Sequence, residues 1–347
     1  MVTRTLTGHN ITIFPYFLIY KGYSATWLAS FLNLSYELID IMDSDQKITE
    51  KTFENLMQSF RPKNRSTAEW EASYNQLRRL VLSEGLPSSQ DGSSSIRAYV
   101  WCIFLGVEPM TANSYLALVH KGASSVYNKI RNDTFRTLAT DPLFRRKVSE
   151  ASLIRLLNSF VWYMESRNLS MSYIQGMNVL AAPFLYTCKS ETEAFSLFTA
   201  FISIQCPLYV VSTLQGLFDK CLEIVDIKLY SYLRSKNLQS KVYAFPSILT
   251  FSACTPPLSE VLILWDFLLA YGVYLNILCV VAQLLIIRDD ILHHPSPIKL
   301  LRKFPHLPAK IVIGIAVSLI KKIPAELYEL LIRHSWDNSA GTEIDKL

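Results

Sequence analysis

The sequence lacks the short motifs that accompany most enzymatic active sites. Its 347 residues contain no G-x-x-x-x-G-K-[ST] loop, no G-x-G-x-x-G, no G-x-S-x-G and no H-E-x-x-H. The six histidines are scattered along the chain. Because such chemistries need matched groups at fixed spacing, no nucleotide-binding, hydrolase or zinc-protease site is predicted for this chain alone.

Paired cysteines are also missing. The chain has six cysteines without a C-x-x-C pair, each in apolar surroundings. This pattern favours buried thiols over a disulfide framework or a zinc site and predicts a reducing compartment. The six are Cys102, Cys188, Cys206, Cys221, Cys254 and Cys279.

No strong excess of one charge sign is present. The chain has 34 basic and 29 acidic residues, a formal net charge of +5, and they are not gathered into a tail. The composition therefore does not indicate a nucleic-acid-binding protein. The densest basic stretch is Arg61, Lys63 and Arg65, in a polar segment that favours a solvated loop over a nucleic-acid or membrane contact.

Hydrophobic runs long enough to cross a membrane are absent as well. The runs Ile277 to Ile287 and Ile311 to Ile320 fall short of the roughly 20 residues that a bilayer requires, so they predict buried helices. The segment Ile11 to Leu34 is longer but contains Lys21 and several polar residues, and it lacks a signal-peptide cleavage site. Neither a signal peptide nor an anchor is predicted.

One group of residues has the spacing of a metal site. In Asp289, Asp290, His293 and His294, each aspartate precedes a histidine by four residues, so the pairs could share a helix face. The alternative is a solvated helix end, where imidazolium interacts with the carboxylates and the helix dipole. We favour the helix end, because such spacing is common on helix surfaces, and predict no metal site.

Helix signals recur from Leu77 onward, whereas strand alternation with hairpin turns is not found. Serine and threonine caps and glycine stops mark the helix ends. The sequence therefore predicts an all-α fold, and its 50% hydrophobic content can fill a sizeable core. Predicted helices are Leu77 to Glu84, Ile96 to Leu105 (capped by Ser93 to Ser95), Thr111 to near Gly122, Ser149 to Asn168, Glu191 to Ile204 (with a Ser190–Glu193 capping box), Leu258 to Tyr271 and Pro324 to His334.

Two short stretches stand out, Ile130 to Arg136 (IRNDTFR) and Tyr173 to Asn178 (YIQGMN). Taken singly, Arg136 is typical of a surface ion-pairing residue and Gln175 of a helix start. In this order the stretches resemble I-x-x-D-x-x-R and Y-x-Q-G, the two finger motifs of the TBC (Tre-2/Bub/Cdc16) domain. Each pattern is weak alone, but the combination is specific.

The resemblance spans about Leu77 to Ile332. Arg97 to Trp101 (RAYVW) matches the family's R-x-x-x-W, and Leu264 to Phe267 (LWDF) with Gly272 matches its later W-D segment. It implies a multi-helix TBC fold with two helical subdomains flanking the finger site. We divide the chain into an N-terminal segment at residues 1–70, a TBC domain at 71–335 and a short tail at 336–347. Residues 1–41 have no counterpart in the family, and we expect them to be dispensable.

The resemblance implies a GTPase-activating protein that has no enzymatic reaction of its own. Arg136 would be the arginine finger and Gln175 the glutamine finger, both supplied in trans. GTP and Mg²⁺ would be held by the partner GTPase, so no cofactor is expected here. Supporting roles follow by resemblance and local chemistry. Asp133 would hold Arg136, and Tyr173 would brace the loop and could contact the GTPase. Gly176 would allow a tight turn or close backbone approach, and Arg97 would support the fold or the finger network.

Within the family, the chain is most similar to the yeast checkpoint group that restrains mitotic exit or septation. This likeness implies a small Ras-like GTPase as the partner, a scaffold subunit of a two-component activator, and a cytoplasmic protein concentrated at the spindle pole body. Three alternatives remain open: a noncatalytic TBC scaffold, a Rab activator of membrane traffic, and a generic helical-repeat scaffold.

Overall fold

The computed structural model describes residues 50–60, 66–89, 94, 96–169, 171–206, 211–302, 304–337, 339–344 and 346, and these contain helices and no β-strand. The all-α prediction is confirmed. In chain order the helices are α1 Glu50–Ser59, α2 Thr67–Ser83, α3 Arg97–Leu105, α4 Ala112–Val119, α5 Tyr127–Thr134, α6 Pro142–Lys147, α7 Glu150–Ser166, α8 Met177–Thr187, α9 Glu191–Ala200, α10 Val211–Val225, α11 Ile227–Ser235, α12 Ser240–Tyr243, α13 Phe245–Leu249, α14 Leu258–Tyr271, α15 Asn276–Ile286, α16 Arg288–His293, α17 Pro297–Arg302, α18 Ala309–Ile320, α19 Ala325–Arg333 and α20 Ser339–Ile344.

Side-chain caps fix several helix starts where the sequence predicts them. The hydroxyls of Thr111, Ser149 and Ser190 each accept a hydrogen bond from the backbone N–H three residues later. In the predicted capping box, the Glu193 carboxylate should accept from the backbone N–H of Ser190. It accepts instead from the N–H of the preceding residue, Lys189, at 3.0 Å.

Three helix predictions need correction. Helix α3 has Ile96 as its N-cap without a side-chain hydrogen bond, and the Ser94 hydroxyl has no partner, so Ser94 does not cap it; Ser93 and Ser95 lie outside the described residues. Helix α2 begins at Thr67, because Ser66 and Glu69 form a capping box. Helix α9 ends at Ala200, and the chain continues as a π-helix over Phe201–Gln205.

Most residues of helix α14 are buried. It packs against α2, α3, α8 and α18. Trp265 of α14 stacks on Phe201 at 5.2 Å and meets Phe184 edge to face, within one continuous hydrophobic core. Helices α5 and α8, which contain parts of the two finger stretches, pack on each other and on α7.

A buried ion pair joins α3 to α14. The guanidinium of Arg97 donates to both carboxylate oxygens of Asp266 at 3.0–3.1 Å, and the indole N–H of Trp101 donates to the same carboxylate at 2.8 Å. Because all three residues are buried, Arg97 lies in the core rather than on a nucleotide-facing surface. This contact involves Arg97 in the packing of α3 on α14, and a role of Arg97 in the finger network stays a prediction.

The chain ends of the described region also contact the core. Phe53, Leu56 and Met57 of α1 are buried, as are Ala340 and Ile344 of α20. The predicted boundary between residues 70 and 71 falls inside α2, and the predicted tail at 336–347 contains α20. The division into domains stays a prediction, and residues 1–41 and the basic stretch at 61–65 lie outside the described residues.

No described helix is long and apolar enough to cross a membrane. The two apolar runs are helices α15 and α18.

All six cysteines are free thiols, five of them buried, and burial raises the pKa of Cys102 to about 12.

The aspartate and histidine group lies at α16, which is only six residues long. His294 has an extended backbone beyond the helix, the Nδ1 of His293 contacts the carbonyl oxygen of Asp289, and the Asp289 carboxylate binds Arg288. Within the described ranges, no group of three or more His, Cys, Asp and Glu side chains could hold a metal ion. These contacts favour the solvated helix end.

Candidate functional site

Helix α5 positions the first finger stretch. Ile130 is fully buried and anchors the helix in the core, whereas Arg136 follows the helix end and is exposed. The sequence places Asp133 and Arg136 on one helix face, but α5 ends at Thr134. A turn preserves their spacing, because the N–H of Arg136 donates to the carbonyl oxygen of Asp133 at 3.3 Å.

The carboxylate of Asp133 holds the guanidinium of Arg136. Asp133 Oδ1 accepts from Arg136 Nη2, and the two side chains differ sharply in exposure, 8% for Asp133 and 60% for Arg136. An ion pair with one exposed partner adds little stability, since water screens it. Its consequence is orientation: a fixed, buried anion restricts the directions that the exposed guanidinium can take.

Tyr173 connects the second finger stretch to the first. Its buried hydroxyl donates to Asp133 Oδ2 at 2.8 Å. Burial, and then the hydrogen bond and negative charge of Asp133, raise the pKa of Tyr173, so the hydroxyl keeps its proton and remains a donor. Asp133 thus uses one oxygen for Arg136 and the other for Tyr173.

Gln175 is exposed and lies in a turn shaped by Gly176. Gly176 has φ +106°, a backbone conformation that residues with a side chain rarely adopt. A Cβ added there would meet nothing within 4 Å, so the glycine serves the turn rather than a close approach within this chain.

Asn178 links the two stretches, and the sequence did not single it out. Its buried amide Nδ2 donates to Thr137 Oγ1 at 2.8 Å and to the Asp133 carbonyl at 3.3 Å, while its Oδ1 accepts from the N–H of Gly176 at 3.1 Å. A polar residue inside the apolar run that begins α8 was the available signal.

Lys129 makes a further connection that sequence reasoning missed. Its Nζ donates to the carbonyl oxygen of Tyr173 at 3.5 Å and lies 5.6 Å from the centre of the Tyr173 ring. Because Lys129 belongs to α5, this contact also joins the first stretch to the loop that carries Gln175.

The fingers project from the surface. A cavity of about 840 Å³ lies elsewhere, lined by residues that include Lys147, Ser149, Cys188 and Ser190, and none of the finger residues lines it. The exposed Arg136 side chain is held by a buried carboxylate, and the exposed Gln175 lies in a loop anchored by Tyr173. Such side chains can act on a group that another molecule presents.

The Rab-GTPase-TBC domain family model matches residues 94–292, more than half of the chain and both finger stretches. The chain belongs to the TBC-domain family. This TBC chain is 50% identical over 277 residues to Cell division control protein 16 of Schizosaccharomyces pombe, covering 78% of this chain and 91% of that protein. It is 44% identical over 285 residues to Mitotic check point protein BUB2 of Saccharomyces cerevisiae, covering 77% of this chain and 93% of that protein.

A solved structure has the same fold. The Ypt/Rab-GAP domain of Gyp1p aligns with this TBC chain at a TM-score of 0.62, covering 84% of this chain and 99% of that one. The aligned sequences are 16% identical, so this likeness concerns the fold alone. The predicted TBC fold is confirmed, and so is the similarity of this chain to the checkpoint group.

Proposed function

We propose that this TBC protein accelerates GTP hydrolysis by a small Ras-like GTPase, to which it supplies Arg136 and Gln175 in trans. The observation that carries the proposal is the bridge made by Asp133. One carboxylate oxygen binds the exposed Arg136 guanidinium, and the other binds the Tyr173 hydroxyl, two residues before the exposed Gln175. A buried group thus orients the Arg136 side chain and anchors the loop that presents Gln175, and these two side chains complement a phosphoryl-transfer site.

The chemistry requires charge stabilisation and positioning. As water attacks the γ-phosphorus and the bond to the bridging oxygen breaks, negative charge spreads over the transferred group. The planar guanidinium of Arg136 can donate several hydrogen bonds to that charge. The side-chain carbonyl of Gln175 can accept from the attacking water. GTP and Mg²⁺ belong to the partner GTPase, and hydrolysis yields GDP and phosphate there.

The biological process follows from the named relatives. Their names refer to cell division control and to a mitotic check point, and identities of 50% and 44% extend over most of each protein. We propose a GTPase of mitotic exit or septation as the partner, together with a scaffold subunit. On the same basis we propose a cytoplasmic protein that concentrates at the spindle pole body.

A Rab GTPase of membrane traffic is the second candidate partner. The descriptions of the family model and of the Gyp1p domain both mention Rab. A third candidate function is a noncatalytic scaffold that docks a GTPase without accelerating hydrolysis. Exposed finger residues are sterically compatible with a scaffold. A scaffold function, however, does not explain why a buried carboxylate orients Arg136.

Single-turnover GTP hydrolysis tests the proposal. A mitotic-exit or septation GTPase and a Rab GTPase are each preloaded with GTP and mixed with this protein, with and without the candidate scaffold subunit. We expect a large stimulation of the first GTPase. Stimulation of the Rab alone would assign the protein to membrane traffic, and binding without stimulation would assign it to the scaffold class.

A further inference from the structure

Two large apolar side chains next to the finger residues are exposed to solvent. Phe135, immediately before Arg136, is 78% exposed, and Ile174, immediately before Gln175, is 55% exposed. Isolated exposed apolar residues are common on protein surfaces. Here, however, the same arrangement occurs at both fingers, and Phe135 is the most exposed large hydrophobic residue in the described part of the chain.

The fold does not require either side chain to be apolar. In each stretch another residue packs into the core, since Ile130 and Tyr173 are almost fully buried. Phe135 follows the last residue of α5, where its backbone N–H donates to the Arg131 carbonyl, and this bond is available to any residue except proline. The exposed side chains therefore point to a contact outside this chain.

The positions of the fingers determine where such a contact must lie. Consecutive Cα atoms are about 3.8 Å apart, so when Arg136 reaches a bound nucleotide, Phe135 must meet the surface around that nucleotide. The same holds for Ile174 beside Gln175. In small GTPases the switch segments border the γ-phosphate, and they are ordered only while it is present.

We propose that Phe135 and Ile174 form an apolar docking pair that packs on the switch segments of the GTP-bound GTPase. The pair binds the GTP form more tightly than the GDP form, because the ordered switches offer a continuous surface. The proposal deepens the proposed function and rests on it.

The test measures KM and kcat for the GTP-loaded GTPase as substrate of the activator. For Phe135→Ala and Ile174→Ala, we expect KM to rise about 10- to 100-fold, as for residues at the centre of an interface, with kcat within about twofold of wild type. Phe135→Leu keeps an apolar side chain and should recover most of the loss. Ile311→Ala is the matched control, because Ile311 is 59% exposed on α18 and should leave KM unchanged.

Three results would overturn the docking pair: an unchanged KM in both alanine variants, a fall in kcat at constant KM, or the same rise in KM for Ile311→Ala. Direct binding to the GTPase loaded with GDP or a nonhydrolysable GTP analogue separates this inference from the proposed function. If wild type binds but does not stimulate, the activator proposal fails. The docking pair then stands if Phe135→Ala weakens binding of the GTP-analogue form, and it fails if binding is unchanged.

Discussion

The hydroxyl of Tyr173 donates to the carboxylate of Asp133 at 2.8 Å, across 40 residues of sequence. This hydrogen bond joins the two finger stretches below the surface. Asn178 and Lys129 add parallel connections from α8 and α5. The loop that carries Gln175 is therefore held relative to Arg136 before any partner binds, which lowers the cost of ordering both side chains in the complex.

Replacing Asp133 should reduce turnover more than binding. In Asp133→Ala, Arg136 loses its buried anion and the Tyr173 hydroxyl loses its acceptor. We expect the maximal stimulated rate to fall by about 10²-fold, the size associated with a misplacement of about 1 Å. Affinity for the GTPase should change little. Titration with single-turnover assays measures both quantities, and weak binding with an unchanged maximal rate would instead place Asp133 at the docking surface.

Asn178→Ala should destabilise the protein and impair its activity together. The change removes the amide that donates to the buried Thr137 hydroxyl and accepts from the half-buried Gly176 N–H. Because the Thr137 hydroxyl keeps its bond to the Asp133 carbonyl oxygen at 3.1 Å, we expect a total loss of about 1–3 kcal/mol. Thr187→Val is a suitable control, because the buried Thr187 hydroxyl has no hydrogen-bond partner to lose. Urea unfolding and GTPase stimulation should both change in Asn178→Ala, and equal stability losses in the two variants would argue against this role for Asn178.

Arg97→Ala should be among the most destabilising changes in the chain. It leaves the buried carboxylate of Asp266 without its guanidinium partner, and breaking such a pair typically costs about 3–5 kcal/mol. The matched control is Arg155→Ala, since Arg155 pairs with Glu191 at 3.0 Å on the surface and its loss should cost less than about 1 kcal/mol. Similar free energies of unfolding for the two variants would contradict this stabilising role of the buried pair.

His334 should make the protein less stable in mild acid. Burial lowers the pKa of His334 to about 4, whereas an unfolded histidine titrates near 6.5. Between these values the unfolded chain binds a proton that the native protein does not. Stability should therefore be fully present above about pH 6.5 and fall towards pH 4 with a slope of up to about 1.4 kcal/mol per pH unit.

Urea unfolding at several pH values tests this slope. His334→Gln should flatten it, because the variant lacks the titrating group. His306→Gln, at an exposed position, should retain it. A slope that persists unchanged in His334→Gln would show that other groups cause the acid sensitivity.

Local patterns predicted most of the fold but only part of the site. Helix α14 begins and ends as predicted because Pro257 and Gly272 border its apolar run. The pairing of Asp133 with Arg136 was also predictable, since it spans three residues. By contrast, the bonds from Asp133 to Tyr173 and from Asn178 to Thr137 depend on how α5 and α8 pack. No spacing rule covers contacts between residues so far apart in sequence.

In the proposed mechanism, this protein supplies both fingers. An arginine finger supplied in trans contributes about 10³ to 10⁵ in rate, or about 4–7 kcal/mol of barrier. Arg136→Ala should therefore remove nearly all stimulation while the fold stays intact, because the side chain is exposed. Gln175→Ala should also be severely impaired.

The most direct test is the single-turnover hydrolysis rate of a partner GTPase whose own switch glutamine has been replaced by alanine. If Gln175 orients the water, wild-type protein should still stimulate this GTPase, whereas Gln175→Ala and Arg136→Ala should not. Loss of stimulation by the wild-type protein would contradict the role of Gln175, and undiminished stimulation by Arg136→Ala would contradict the catalytic account as a whole.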